Sequence, residues 1–160
     1  MSANKYQPHV LVLPEDDANR QIANGFQLKT SKVRQMQVLE VAGGWKQVLA
    51  SFASNHVPEM RRSPHRLLVL LIDFDGNLGR LETAKANIPG DLTDRVFLLG
   101  VLSEPEALRG SLALSYEDIG SALARDCRDN TDETWGHHLL RHNEGELQRL
   151  RDRVLPILFP

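Results

Sequence analysis

Only one cysteine, Cys127, occurs in the 160 residues, so no disulfide can close within the chain, and a reducing compartment, the cytoplasm by default, is expected. Long apolar runs are missing as well. The longest uninterrupted one, Leu67 to Ile72, is far too short to span a bilayer, and Met1 to Pro8 lack the apolar stretch of a signal peptide. No membrane partner is expected. Charge of one sign is not in excess: 19 basic and 21 acidic side chains leave a net charge of −2, which gives no overall electrostatic footprint for nucleic acid or anionic lipid but leaves room for a local basic surface. Repeats, low-complexity tracts and Gly/Ser-rich linkers are absent too, so residues 1–160 read as one domain.

Against these absences stands a hydrophobic content of 41%, enough for a full core at this length. Val10 to Leu13 is rich in branched residues and stops at Pro14, which suits a central strand. Asp16, Asp17 and Asn19 then supply capping groups ahead of Ile22, Ala23 and Phe26, a short helix expected to close near Gly25. A second strand is expected over Gln37 to Val41. After Gly43-Gly44 a helical stripe restarts with Trp45, Val48, Leu49 and Phe52, followed by a polar connection punctuated by Val57-Pro58 and Ser63-Pro64. Leu67 to Ile72 is apolar on both faces and is the third strand, Leu78 to Ile88 a helix, and Arg95 to Leu99 a fourth strand stopped by Gly100. Tyr116 to Cys127 and Glu144 to Leu158 carry helical spacing, with Pro156 bending or ending the last helix. Strands that alternate with helices pair in parallel through right-handed crossovers. The expected fold is therefore α/β: an open, mainly parallel, doubly wound sheet of four strands or slightly more, with an α/β core over 9–108 and a helical carboxyl-terminal extension over 111–160.

Two acidic clusters follow strands. Pro14-Glu15-Asp16-Asp17 comes after the first and Asp73-Phe74-Asp75-Gly76-Asn77 after the third. Parallel strands finish at one edge of the sheet, so these carboxylates converge, and a hard cation relieves their mutual repulsion. From Val10 to Leu108 this arrangement resembles the TOPRIM domain of topoisomerases, bacterial primases and overcoming-lysogenization-defect nucleases. In that family a glutamate follows the first strand, a glycine-containing turn the second and an Asp-x-Asp motif the third; here these look like Glu15, Gly43-Gly44 and Asp73-Phe74-Asp75. The resemblance implies that Asp73 and Asp75 hold Mg²⁺ or Mn²⁺, that Glu15 is a further ligand or the general acid/base of phosphodiester chemistry, and that the partner is nucleic acid. This chain departs from the pattern in lacking a glycine beside Glu15.

Each of these residues also has an ordinary structural explanation. Asp16 and Asp17 suit a helix cap and first turn, Asp75-Gly76-Asn77 suits a turn, and Gly43-Gly44 suits either a tight turn or backbone contact with phosphate. Glu104, in Ser103-Glu104-Pro105-Glu106, is a candidate extra metal ligand, although proline and glutamate there suit a helix start better. Cys127, His137, His138 and His142 contain a His-x3-His spacing compatible with zinc, but Trp135 to Leu140 reads as well as an amphipathic helix start.

Two other functions fit the same architecture. Val10 to Arg20 is also similar to the opening of response-regulator receiver domains, which would make Asp16 and Asp17 the acidic pair and Asp73 the phosphoacceptor; the receiver lysine has no counterpart, since no lysine follows Lys85. A non-catalytic TOPRIM-like scaffold, forming a homodimer or a partner surface through Tyr116, Ile119, Leu123, Trp135, Leu139 and Leu140, is the third.

Overall fold

Residues 2–160 are described by the computed structural model. β1 (His9–Pro14), β2 (Met36–Val38), β3 (Arg66–Leu71) and β4 (Val96–Leu99) form one parallel sheet in the order β2-β1-β3-β4. β1 is central, with Val10 opposite both Met36 and Leu67, and β3 continues to β4 with Leu68 opposite Val96. Alternation sorts the side chains into two cores. Val10, Val12, Leu67, Val69, Phe97 and Leu99 face one way; Leu11, Leu13, Leu68, Leu70, Val96 and Leu98 face the other. Burial on both faces is what the unbroken apolar runs of β1 and β3 require.

The first core is closed by α1 (Asp17–Leu28), α5 (Pro105–Leu112), α6 (Tyr116–Asp129), α7 (Glu144–Arg153) and the short α8 (Leu155–Leu158), and the second by α2 (Trp45–Ser51), α3 (Val57–Arg62) and α4 (Gly79–Ala86). Among the described residues no helix is long and apolar enough to cross a membrane.

α1 does not stop at Gly25 but runs on to Leu28. The glycine is there for contact: a Cβ at Gly25 would lie 2.0 Å from the Glu117 carbonyl oxygen, and one at Gly120 would lie 1.9 Å from the Ile22 carbonyl oxygen. α1 and α6 thus touch backbone to backbone, each through its own glycine.

Three further departures have local causes. β2 ends at Val38, because beyond it only Leu39 and Ala42 still donate to β1, at Val12 and Pro14, and Val41 is exposed. The expected connection around Pro58 is helical: a π turn over Phe52–His56 joins α2 to α3 and accommodates a residue that has no N–H to donate. Trp135 to Leu140 forms turns rather than a helix, with the buried Asp126 carboxylate accepting from the backbone N–H of Thr134 (2.7 Å) and Trp135 (3.0 Å).

No fifth strand lies beside β4 among the described residues; side chains take its place. The Asn143 amide accepts from Gly100 N–H (3.1 Å) and donates to Gly100 C=O (2.9 Å). Glu146 Oε2 accepts from Leu98 N–H (2.8 Å), and Arg149 Nη2 donates to Val96 C=O (3.2 Å). Every second residue of the strand is matched by every third residue of the α7 region. Replacing Asn143 by Ala leaves two buried backbone groups unpaired, at an expected cost of about 2–4 kcal/mol. The check is a urea titration, in which the midpoint falls while the slope is unchanged; an unaltered midpoint would show the seal to be dispensable.

Candidate functional site

The carboxyl ends of β1 and β3 are neighbours in the sheet, and the backbone carries that pairing into the loops: Glu15 N–H donates to Leu71 C=O (2.9 Å). Glu15 is 9% exposed, and its Oε2 accepts from Asp73 N–H at 2.6 Å. Asp16 is the N-cap of α1, where its Oδ1 accepts from both the backbone N–H and the side-chain amide of Asn19, each at 3.0 Å. The same Asn19 amide donates to Asp73 Oδ1 at 2.9 Å. Asp16 and Asp73 therefore meet at one buried asparagine, and Glu15 joins them through the Asp73 backbone.

Burial, more than anything else, pushes the Asp73 carboxyl up to about 8; the Asn19 amide opposes this, while the charges of Asp16 and Glu15 add to it. Glu15 is raised for the same leading reason, tempered by the Asp73 amide and by Arg80. The negative charge of the centre is thus under-compensated. Asn19 adds a second sign of an unmet need: its side chain is 1% exposed and its Oδ1 has no hydrogen-bond partner, which is costly for a buried acceptor.

The remaining sequence candidates lie around this centre. Asp75 is exposed at φ +52° with its carboxylate 3.5 Å from Arg80 Nη2. Glu104 is exposed at the N-cap of α5. Asp17 pairs at the surface with Arg20 and accepts from Gln21. Gly43 and Gly44 adopt φ of +96° and +149°, and Gly43 N–H donates to Glu15 C=O (2.9 Å), so their turn borders the acidic centre.

Two aromatic-arginine stacks, which sequence patterns do not reveal, stand on either side. The Arg80 guanidinium lies 5.0 Å from the Trp45 ring centroid while its Nη1 donates to Asp73 C=O (3.0 Å). The Arg109 guanidinium lies 4.8 Å from the ring of Tyr116, a phenol whose ionisation is held back by burial and also by the charges of Glu106, Asp16 and Asp73.

No family model matches this chain, and no curated protein or solved structure is significantly similar to it. The chemistry has to be read from the residues themselves.

Among the described residues no group of three or more His, Cys, Asp or Glu side chains is placed to hold a metal ion. Two carboxylates bridged by an amide, with a third alongside, instead offer the hard oxygen donors suited to a small divalent ion that keeps most of its water. The donor chemistry and the under-compensated charge fit such a guest.

The histidine region offers less. Leu139 N–H donates to His137 Nδ1 (3.1 Å), which puts the ring proton on Nε2, and Nε2 then donates to Ser111 Oγ at 2.8 Å. The serine accepts a hydrogen bond where a nucleophile would have to donate one to its base. Cys127 is buried and its thiol is pushed up to about 11, chiefly by desolvation, the opposite of an activated thiolate.

Proposed function

We propose that the chain is a TOPRIM-like, divalent-cation-dependent phosphoryl-transfer protein acting on phosphodiesters of nucleic acid. The observation that carries this reading is the convergence of Glu15, Asp16 and Asp73 at the carboxyl ends of two adjacent parallel strands, in surroundings that hold Asp73 near 8. Ligands bind at this position in open α/β sheets, where the chain switches direction across the sheet.

Asp73 and Asp16 are the residues suited to hold Mg²⁺ or Mn²⁺, with the Asn19 amide setting their spacing. When bound, the ion supplies neutralisation of phosphoryl charge and activation of water. Glu15 has two roles available to it. Its hydrogen bond to Asp73 N–H orients the β3 end, and its raised proton affinity suits exchange of a proton with a leaving or attacking oxygen. Asp75 and Glu104 sit at the mouth and are within the proposal only as outer ligands of the hydrated ion.

The expected result is Mn²⁺-dependent hydrolysis of bis-p-nitrophenyl phosphate and of an oligonucleotide, lowered at least about a hundredfold by Asp73→Asn or Glu15→Gln. Equal rates in the variants would remove these residues from the chemistry.

One observation favours a second reading. The order β2-β1-β3-β4 is that of flavodoxin-like sheets, with Asp73 just beyond β3 and acidic neighbours just beyond β1, as a phosphoacceptor aspartate requires. Labelling of Asp73 by acetyl phosphate in Mg²⁺ would select the receiver function, whereas turnover without a stable adduct selects hydrolysis.

A further inference from the structure

A substrate that merely met the acidic centre would be repelled by it, so positive groups have to offset that charge near the mouth. Arg80 and Arg109 are placed for this from opposite faces of the sheet. Arg80 opens α4, over the core closed by α2, α3 and α4; Arg109 lies on α5, over the other core. Arg80 is tied to the centre directly, through Asp73 C=O, and its charge is felt at Glu15. Arg109 lies on α5, the helix that follows the carboxyl end of β4, and packs against Tyr116 in the first turn of α6.

Each guanidinium lies over a ring, at 5.0 Å for Arg80 on Trp45 and 4.8 Å for Arg109 on Tyr116, and that is what makes it more than a surface charge. A guanidinium packed against a ring keeps edge N–H groups free to donate to phosphate oxygens in a fork. Only one N–H of Arg80 is committed at good distance, to Asp73 C=O; its contact with the exposed Asp75 carboxylate is 3.5 Å long and easily exchanged.

We propose that Arg80 on Trp45 and Arg109 on Tyr116 are the two jaws of a phosphate clamp that lays a polynucleotide backbone across the acidic centre, one phosphate group on either side of the reacting one. The clamp rests on the reading of the centre given above and extends it to the substrate. Contacts to phosphate carry no sequence information, so binding is expected to be independent of base sequence.

The test is fluorescence anisotropy of labelled fifteen-residue oligothymidylate and oligoadenylate over a salt series in Ca²⁺, with wild type, Arg80→Gln, Arg109→Gln, Asp75→Asn and a control, Arg128→Gln, at a surface arginine paired with Asp129. Each jaw variant is expected to weaken both oligonucleotides about tenfold and to lower the slope of log K against log salt by about 0.7. Asp75→Asn is expected to tighten binding a few-fold, and Arg128→Gln to leave it unchanged. Arg109 is exposed, so its variant keeps the test decisive if Arg80→Gln disturbs folding. An unchanged slope in Arg109→Gln, an equal loss in the control, or no binding by wild type overturns the clamp. Mn²⁺-induced thermal stabilisation, measured on the same proteins, judges the metal separately: its presence without the arginine effects sinks the clamp alone, and its absence beside intact arginine effects sinks the metal alone.

Discussion

Asp73→Asn is expected to melt higher than wild type at pH 8, to melt at nearly the same temperature near pH 4, and to gain nothing from Mn²⁺. The sign follows from linkage. An unfolded aspartate loses its proton near pH 4, whereas Asp73 in the native protein keeps it to about 8. Between those values the native state binds the extra proton, so stability is full below the window and declines as pH rises through it. Asparagine cannot ionise, and its Oδ1 still accepts from Asn19. Allowing for solvent screening, the gain at pH 8 is on the order of 1–2 kcal/mol, or about 3–6 °C in Tm. With Mn²⁺ at a hundred times its Kd, wild type recovers about 2.7 kcal/mol, and the ranking of the two proteins inverts. Scanning calorimetry at three pH values, with and without the ion, reads all of this. A variant that loses stability equally at pH 4 and pH 8 would show that Asp73 serves packing rather than charge.

The second large effect belongs to Gly120. A methyl group there would sit 1.9 Å from the Ile22 carbonyl oxygen and 2.7 Å from the Phe26 nitrogen, and both are backbone atoms of α1 that cannot rotate away. Gly120→Ala, which on helix propensity alone would stabilise by about 1 kcal/mol, is expected to destabilise by about 3 kcal/mol or more. For a chain of this size that is a fall in Tm of at least about 6 °C. A neutral or raised Tm would mean that α1 and α6 stand further apart than described. Because α1 also carries Asn19 and is capped by Asp16, the same substitution should weaken Mn²⁺ binding in whatever protein remains folded.

The parts of the molecule that obey a simple period were legible in the sequence. Strands buried on both faces announce themselves as apolar runs, so β1 and β3 were placed within a residue, and with them the expectation that Glu15 and Asp73 lie at one edge. Glycine was misleading because one residue type serves two ends: Gly25 reads as a stop but acts as a contact surface. The acidic centre was half visible. Asp16 was accounted for as a cap, which it is, yet its capping oxygen is also the one that reaches Asn19, and no spacing rule separates the two uses. Asn19 itself carries no signal, since an asparagine in a first turn is unremarkable until its amide is found between two carboxylates. Asp75 shares the Asp-x-Asp spacing with Asp73, but its left-handed backbone turns the carboxylate out to solvent. Arg80 and Arg109 acquire meaning only from the rings beneath them, a relation between distant positions.

The side-chain seal along β4 has a consequence for how this protein can meet others. A chain seeking to join the sheet there would have to expel Asn143, Glu146 and Arg149 together, three partners for one. At the opposite border β2 offers a length of three residues, too little to template a neighbour. Growth by strand addition, whether by a binding peptide or by self-assembly into fibrils, is disfavoured on both sides.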